Sequence, residues 1–209
     1  MAALTRTERD SLGEMKVPQD ALFGVQTLRA CHNFPISGST IGQLPDLLRA
    51  LAFVKKAAAI ANCQIGSLSA KKTEIITRVC DEIIAGQHAG QFPVDIFQGG
   101  AGTSTNMNIN EVIANRGLEL LGYPCGAYAH LHPNDDVNQS QSTNDAYPTA
   151  VRIALLLAAP RLLQALAGLA AAFEVKGLEF STVLKVGRTQ LQDAVPMTLG
   201  QEFRAFAYT

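Results

Sequence analysis

Three stretches of this chain crowd hydroxyl, amide and carboxyl side chains closely enough to do chemistry. The densest is Asp135-Asp136-Val137-Asn138-Gln139-Ser140-Gln141-Ser142-Thr143-Asn144-Asp145-Ala146-Tyr147-Pro148, which ends where a long apolar run begins. Pro148 suits a first helical position, because its missing N–H would have had no partner there. Asp145, Asn144 or Thr143 can cap the helix with a side-chain oxygen. Free N–H groups and the dipole at such a start favour an anion. Two readings follow: a carboxylate- or phosphate-binding loop on a rigid rod, or an ordinary capped helix entrance with solvated polar residues.

The second stretch runs from Gln98 through three glycines to Thr103, Ser104, Thr105, Asn106, Asn108, Asn110 and Glu111. The glycines let backbone approach a ligand closely, and hydroxyls and amides again crowd a helix entrance. No GK[ST] follows, so it is not a P-loop, and no strand–GxGxxG–helix unit precedes it. The third, Gly187-Arg188-Thr189-Gln190-Leu191-Gln192-Asp193-Ala194-Val195-Pro196, leads towards a helix that Pro196 is expected to open.

The elements that must carry these loops are helical. Pro45 opens a helix to about Asn62, with Leu47, Leu51, Val54 and Ala58 on one face and Lys55 and Lys56 off it. Ser69 starts another, with Ile76, Val79 and Ile83 inward and Gly86 as its stop. This pair reads as amphipathic scaffold without chemistry. The second loop feeds a helix to about Leu121, stopped by Gly122 and Pro124. After Pro148 the chain is apolar nearly all round up to Glu174, as expected of a helix buried in a bundle or between subunits. Pro160 should kink it, and the helix could resume to about Leu184. Before residue 45, frequent Gly and Pro exclude a long helix. A short helix over Gly24–Ala30 and a small hairpin fit there, and Arg29 reads either as a ligand-binding cation or as a structural one. The last helix ends at Thr209 without a cap or polar tail, which suggests a piece of a longer protein.

Composition narrows the class. With 47% hydrophobic and 17% charged residues among 209, the chain is globular. A net charge of -1 and no basic block argue against nucleic acid as a partner. Cys31, Cys63, Cys80 and Cys125 lie far apart without metal-ligand spacing, so they read as reduced structural thiols. No uninterrupted apolar run reaches about 18 residues, so no membrane span is expected. Met1–Asp10 lacks the apolar core of a secretory signal. Together these point to the cytoplasm.

Three polar loops in this order resemble the aspartase/fumarase superfamily of lyases. The matching segments are Gly102 through Val112, His132-Pro133-Asn134-Asp135 through Ser142-Thr143-Asn144-Asp145, and Gly187 through Ala194. Val17-Pro18 with Gly24-Val25-Gln26-Thr27-Leu28-Arg29 resembles the N-terminal signature. The resemblance runs from about residue 10 to the end. Gln190, where fumarases usually carry His, and the Ser142-Thr143-Asn144-Asp145 run place it nearest the aspartate ammonia-lyases. His132-Pro133 is more fumarase-like, which keeps a class II fumarate hydratase as the alternative.

The resemblance implies a mainly α fold, with a small N-terminal helical domain over residues 1–145. Residues 146–209 would be the truncated start of a long-helix bundle. It implies reversible elimination of ammonia from L-aspartate to give fumarate through an aci-carboxylate carbanion. Thr103, Ser142 and Thr143 would hold the β-carboxylate, with Asn144 and Thr189 nearby and Gln190 at the amino or α-carboxylate end. His132, Asn134 and Asp135 match a peripheral anion site, although Pro-Asn-Asp is equally apt for a plain turn. No metal or organic cofactor is required. The catalytic base, a Ser on a Gly-Ser-Ser-x-x-Met-Pro-x-Lys-x-Asn loop, does not occur in these 209 residues. The family's sites form between subunits of a homotetramer. The chain alone would then be inactive, or serve as a non-catalytic assembly module.

Overall fold

A computed structural model describes residues 4–98 and 100–209. Met1–Ala3, at the N-terminal end read for a signal, and Gly99 of the glycine loop lie outside the described residues. The mainly α expectation holds. Two compact units form, one up to Leu155 and one over Leu156–Thr209.

The first unit opens with a hairpin of β1 (Thr5–Asp10) and β2 (Gly13–Pro18), paired antiparallel from Thr5↔Pro18 to Asp10↔Gly13. Helix α1 (Val25–Asn33) follows. Its first N–H groups are satisfied by carboxylates from distant elements rather than by a local cap. Glu111 accepts from Gly24, Gln26 and Thr27 at 2.9–3.0 Å, and Glu8 accepts from Val25 at 3.0 Å. Both carboxylates are buried, which orphan helix donors and their charge complementarity with the positive pole make tolerable. Arg29 is structural: its guanidinium grips Asp10 at 2.8 and 2.9 Å and the Gly13 carbonyl at 2.9 Å.

Helices α2 (Pro45–Gln64) and α3 (Ala70–Ile84) follow, with Pro45 at the first position of α2 and the Ser69 hydroxyl capping α3 through the Lys72 N–H. The expected face of α3 is buried as read. That of α2 is rotated: Leu48, Leu51, Lys55, Ala59 and Asn62 face inward, so Lys55 lies on the buried face and not off it. The reason is polar: its ammonium meets side-chain oxygens inside the core. Helix α4 (Thr103–Leu120) then runs through the middle of the unit. Ile109, Val112, Ile113 and Leu118 pack into the core beside buried Asn106, Asn108, Asn110 and Asn115. A short π-turn over Pro133–Val137 precedes α5 (Thr143–Glu179).

Two expectations about α5 are corrected. It begins at Thr143, so Pro148 lies inside the helix rather than at its first position. It also ends at Glu179 rather than near Leu184, as one continuous helix that includes Pro160. By length and composition α5 could cross a membrane, with a mean hydropathy of 1.8 in its most apolar window. The absence of an uninterrupted apolar run did not register this, because interspersed small and polar residues average out.

In the second unit, Leu162, Leu163, Leu166 and Leu169 of α5 are exposed. Strands β3 (Leu184–Thr189) and β4 (Gln192–Thr198) form an antiparallel hairpin before α6 (Leu199–Tyr208). Pro196 therefore does not open a helix. It pairs with Val186 in a two-stranded ribbon, where an edge tolerates its missing donor. The true cap of α6 is Thr198, which forms a reciprocal capping box with Gln201. Phe173, Phe180, Phe203 and Phe206 pack together at centroid distances of 5.4–6.3 Å, edge-to-face except for the tilted pair Phe173–Phe206.

Candidate functional site

Two helix starts of the first unit share a cavity. It measures about 350 Å³ and is lined by Phe97, Gln98, Gly100 and Gly102 from one side and by Asn144 and Tyr147 from the other. Gly102 adopts φ 82°, and a Cβ there would strike the Tyr147 ring at 2.5 Å. Glycine is thus required for α4 to begin against α5. Gln98 fixes the approach: its Oε1 accepts the Thr105 N–H at 3.0 Å and its Nε2 donates to the Asp95 carbonyl at 2.7 Å. Asp95 is anchored in turn. Burial alone would raise its pKa, but N–H groups of Phe97, Ser37 and Gly38 and the Ser37 hydroxyl bring it down to about 2.

Thr103 is exposed at the first position of α4. Ser142 is exposed immediately before α5, with its hydroxyl oxygen accepting the Asn144 N–H at 3.2 Å. Thr143 is half-buried, and its hydroxyl oxygen accepts from Asn106 Nδ2 of α4 at 3.4 Å. Asn144 lines the cavity described above, whereas Ser142 lines a neighbouring one of about 170 Å³ with Val54, Gln141 and Thr149. The α4 and α5 starts are therefore brought together, with Ser142 and Asn144 facing two adjacent hollows. What they offer is short hydroxyl and amide groups at helix N-termini, suited to an anion. Among the described residues, no group of three or more His, Cys, Asp or Glu is arranged to hold a metal ion.

Thr189 and Gln190 belong to the second unit. Thr189 ends β3, and Gln190 with Leu191 forms the two-residue turn of the hairpin. Both turn residues have positive φ, 50° and 64°, a conformation that Asn and Gly adopt at least cost.

His132 caps the π-turn. Its Nδ1 accepts N–H groups of Asn134 and Asp135 at 3.1 Å, and its ring meets Tyr128 edge-on at 5.7 Å. Asp136 accepts the His132 N–H at 2.8 Å and is paired with Lys72 at 2.7 Å. Asn134 and Asp135 are exposed.

Sequence reasoning missed the polar floor under these loops. Lys55 Nζ donates to Asn138 Oδ1 and Gln141 Oε1, both at 2.9 Å. Asn106 and Asn110 also donate to Asn138 Oδ1, at 2.9 and 3.2 Å. One signal was present: Lys55 stands four residues from both Leu51 and Ala59, on their helix face.

A family profile described as Lyase covers residues 13–209. The chain is 59% identical over 208 residues to an aspartate ammonia-lyase of Pseudomonas fluorescens, covering 100% of this chain and 44% of that protein. It is 54% identical over 203 residues to the aspartate ammonia-lyase of Escherichia coli K12, covering 97% and 42%. Among solved structures it resembles a fumarate lyase:delta crystallin from Brucella melitensis, with a TM-score of 0.91 and 63% identity over 98% of this chain and 46% of that one. A class II fumarase from Schistosoma mansoni aligns with a TM-score of 0.86 and 38% identity, over 98% and 43%. The chain thus spans about 44% of the length of the curated aspartate ammonia-lyase it matches from P. fluorescens. With both sequence and fold matched over almost its whole length, the chain belongs to the lyase family of the aspartase/fumarase superfamily.

Proposed function

We propose that this chain is the N-terminal portion of an aspartate ammonia-lyase, with residues 1–145 as its N-terminal domain and 146–209 opening a helical bundle. The observation that carries the reading is the identity of 54–59% to aspartate ammonia-lyases along nearly the whole chain. The reaction removes a proton from the carbon beside the β-carboxylate of L-aspartate and expels ammonia to give fumarate. Charge collects on the β-carboxylate oxygens before the C–N bond breaks. Thr103, Ser142 and Thr143 would donate to those oxygens, with Asn144 and Thr189 beside them and Gln190 at the amino end. Donors held on helix starts need little reorganisation as that charge develops. The base would come from the Ser loop that the family carries in the remainder of its chain.

The exposed leucines of α5 support assembly into a homotetramer whose core is built of such helices. The same composition that would suit a membrane suits a helix buried among its copies. The cytoplasm is the compartment this metabolic reading implies. His132, Asn134 and Asp135 would be its peripheral anion site. The Asp135 carboxylate, 3.4 Å from His132 Nδ1, opposes an anion there.

Gln190 distinguishes the ammonia-lyase from the hydratase. In the assembled enzyme, Gln190→His is expected to lower ammonia release from L-aspartate at least tenfold, because an amide contact is replaced by a ring of different reach. Formation of L-malate from fumarate by the enzyme carrying Gln190 would instead establish the hydratase.

A further inference from the structure

Among the described residues, Lys55 is the largest side chain with no exposed surface, and it comes from a helix that otherwise reads as scaffold. A buried ammonium is costly unless its donors are used, and Met would fill similar space without that cost. The donors are used on one loop. Lys55 Nζ reaches Asn138 Oδ1 and Gln141 Oε1. Asn138 Nδ2 donates to the Gln141 carbonyl at 3.0 Å, and Gln141 Nε2 donates to the Val137 carbonyl at 2.9 Å. Asn106 spans from Asn138 to the Thr143 hydroxyl. One cation from α2 and two amides from α4 thus hold the segment that delivers Ser142, Thr143 and Asn144 to the start of α5.

We propose that Lys55 is a positioning residue: its ammonium fixes Asn138 and Gln141 so that Ser142, Thr143 and Asn144 stand in place to receive the substrate carboxylate. The role of those three residues rests on the function proposed above.

Charge matters to this role, because a hydrogen bond from an ionised donor is roughly twice as strong as one from a neutral donor. Burial pushes the Lys55 pKa down to about 7. The ionisable group acting on it from α3 is Cys80, whose thiol burial pushes up to about 12 and so keeps neutral. Asn106 and Asn110 from α4, and Asn138 and Gln141 from the loop, do not titrate. The ammonium therefore holds the loop below about pH 7 and loses its charge above it. Stability moves the other way. The folded pKa lies below the unfolded value of about 10.4, so the unfolded chain binds more protons between about pH 7 and pH 10, and this group's contribution to stability rises there. A purely structural lysine would not loosen one loop while the whole chain gains stability.

The test is hydrogen exchange on the 209-residue chain at about pH 6 and about pH 9, corrected for intrinsic exchange rates, on either side of the Lys55 transition. Segment 138–144 is compared with α1. Protection of the loop is expected to fall about tenfold at the higher pH while α1 does not follow, as charge-assisted bonds give way to neutral ones. Lys55→Met should show low loop protection at both pH values. Loop protection in Lys55→Gln, the second variant should Lys55→Met not fold, that equals the unmodified chain at about pH 6 overturns the proposal. Unchanged protection in a folded Lys55→Met overturns it equally. Fumarate is added as a separate probe of Ser142–Asn144. A loop that follows Lys55 in the chain, while fumarate leaves Ser142–Asn144 undisturbed in the assembled enzyme, supports positioning and removes the carboxylate reading.

Discussion

Gly24→Ala is expected to destabilise the chain by about 3–5 kcal/mol, the scale of overpacking combined with lost buried hydrogen bonds. A Cβ at this position would lie 2.6 Å from Glu8 Oε2, 2.7 Å from the Tyr128 hydroxyl and 2.8 Å from Glu111 Oε1. None of the three can retreat without breaking something. Glu8 holds the Val25 N–H and Arg6, Glu111 holds three backbone N–H groups, and Tyr128 donates to Glu8 at 3.0 Å. Moving Glu111 would leave a buried carboxylate and the first donors of α1 unpaired together, so the effects compound. Burial raises the Tyr128 pKa far above its ordinary value, so its proton stays in place as a donor. Urea denaturation followed by circular dichroism measures the loss. Gly90→Ala, where a Cβ meets nothing within 4 Å, is the matched control and should be nearly silent. Equal midpoints for the two variants would show that the carboxylate cage does not organise α1.

Ser142→Ala is expected to lower kcat of the assembled enzyme by about 10²–10³, the cost of removing one preorganised donor to a developing oxyanion. Its effect on stability should be small by comparison. Ser142 is exposed, and its hydroxyl oxygen caps a single N–H, that of Asn144, a contact worth about 1 kcal/mol. Ser142→Thr restores a hydroxyl at the same helix start and should recover most of the rate. Loss of stability in proportion to loss of rate, with no recovery in Ser142→Thr, would make Ser142 a cap and nothing more.

How far these features were legible depends on whether their causes are local. Ser69 capping α3, Pro45 opening α2 and the glycine-to-hydroxyl entrance of α4 are signals written within a few residues, and the structure carries each of them. The hairpin of β3 and β4 was hidden because Gln190-Leu191 is not a turn pair that sequence rules favour, and because Pro196 imitates a helix start. Proline could not locate the start of α5 either, since the helix begins five residues before Pro148. The inward face of α2 was misjudged for a different reason. Polarity assigned Lys55 to solvent, yet its partners, Asn138 and Gln141, lie more than eighty residues along the chain. The same distance hid the role of Glu111, which reads locally as one more polar residue of a helix start but caps α1 from across the fold.

The most direct test of the proposed function is a coupled assay for ammonia and fumarate from L-aspartate. It is run on the purified chain, on the chain bound to a polypeptide that supplies the Ser base loop, and on the same complex carrying Ser142→Ala. The account predicts silence from the chain alone, product from the complex, and a loss of about 10²–10³ in rate with the substitution. Fumarate released by the chain alone, or no product from a complex that elutes as a single assembled species, would contradict it.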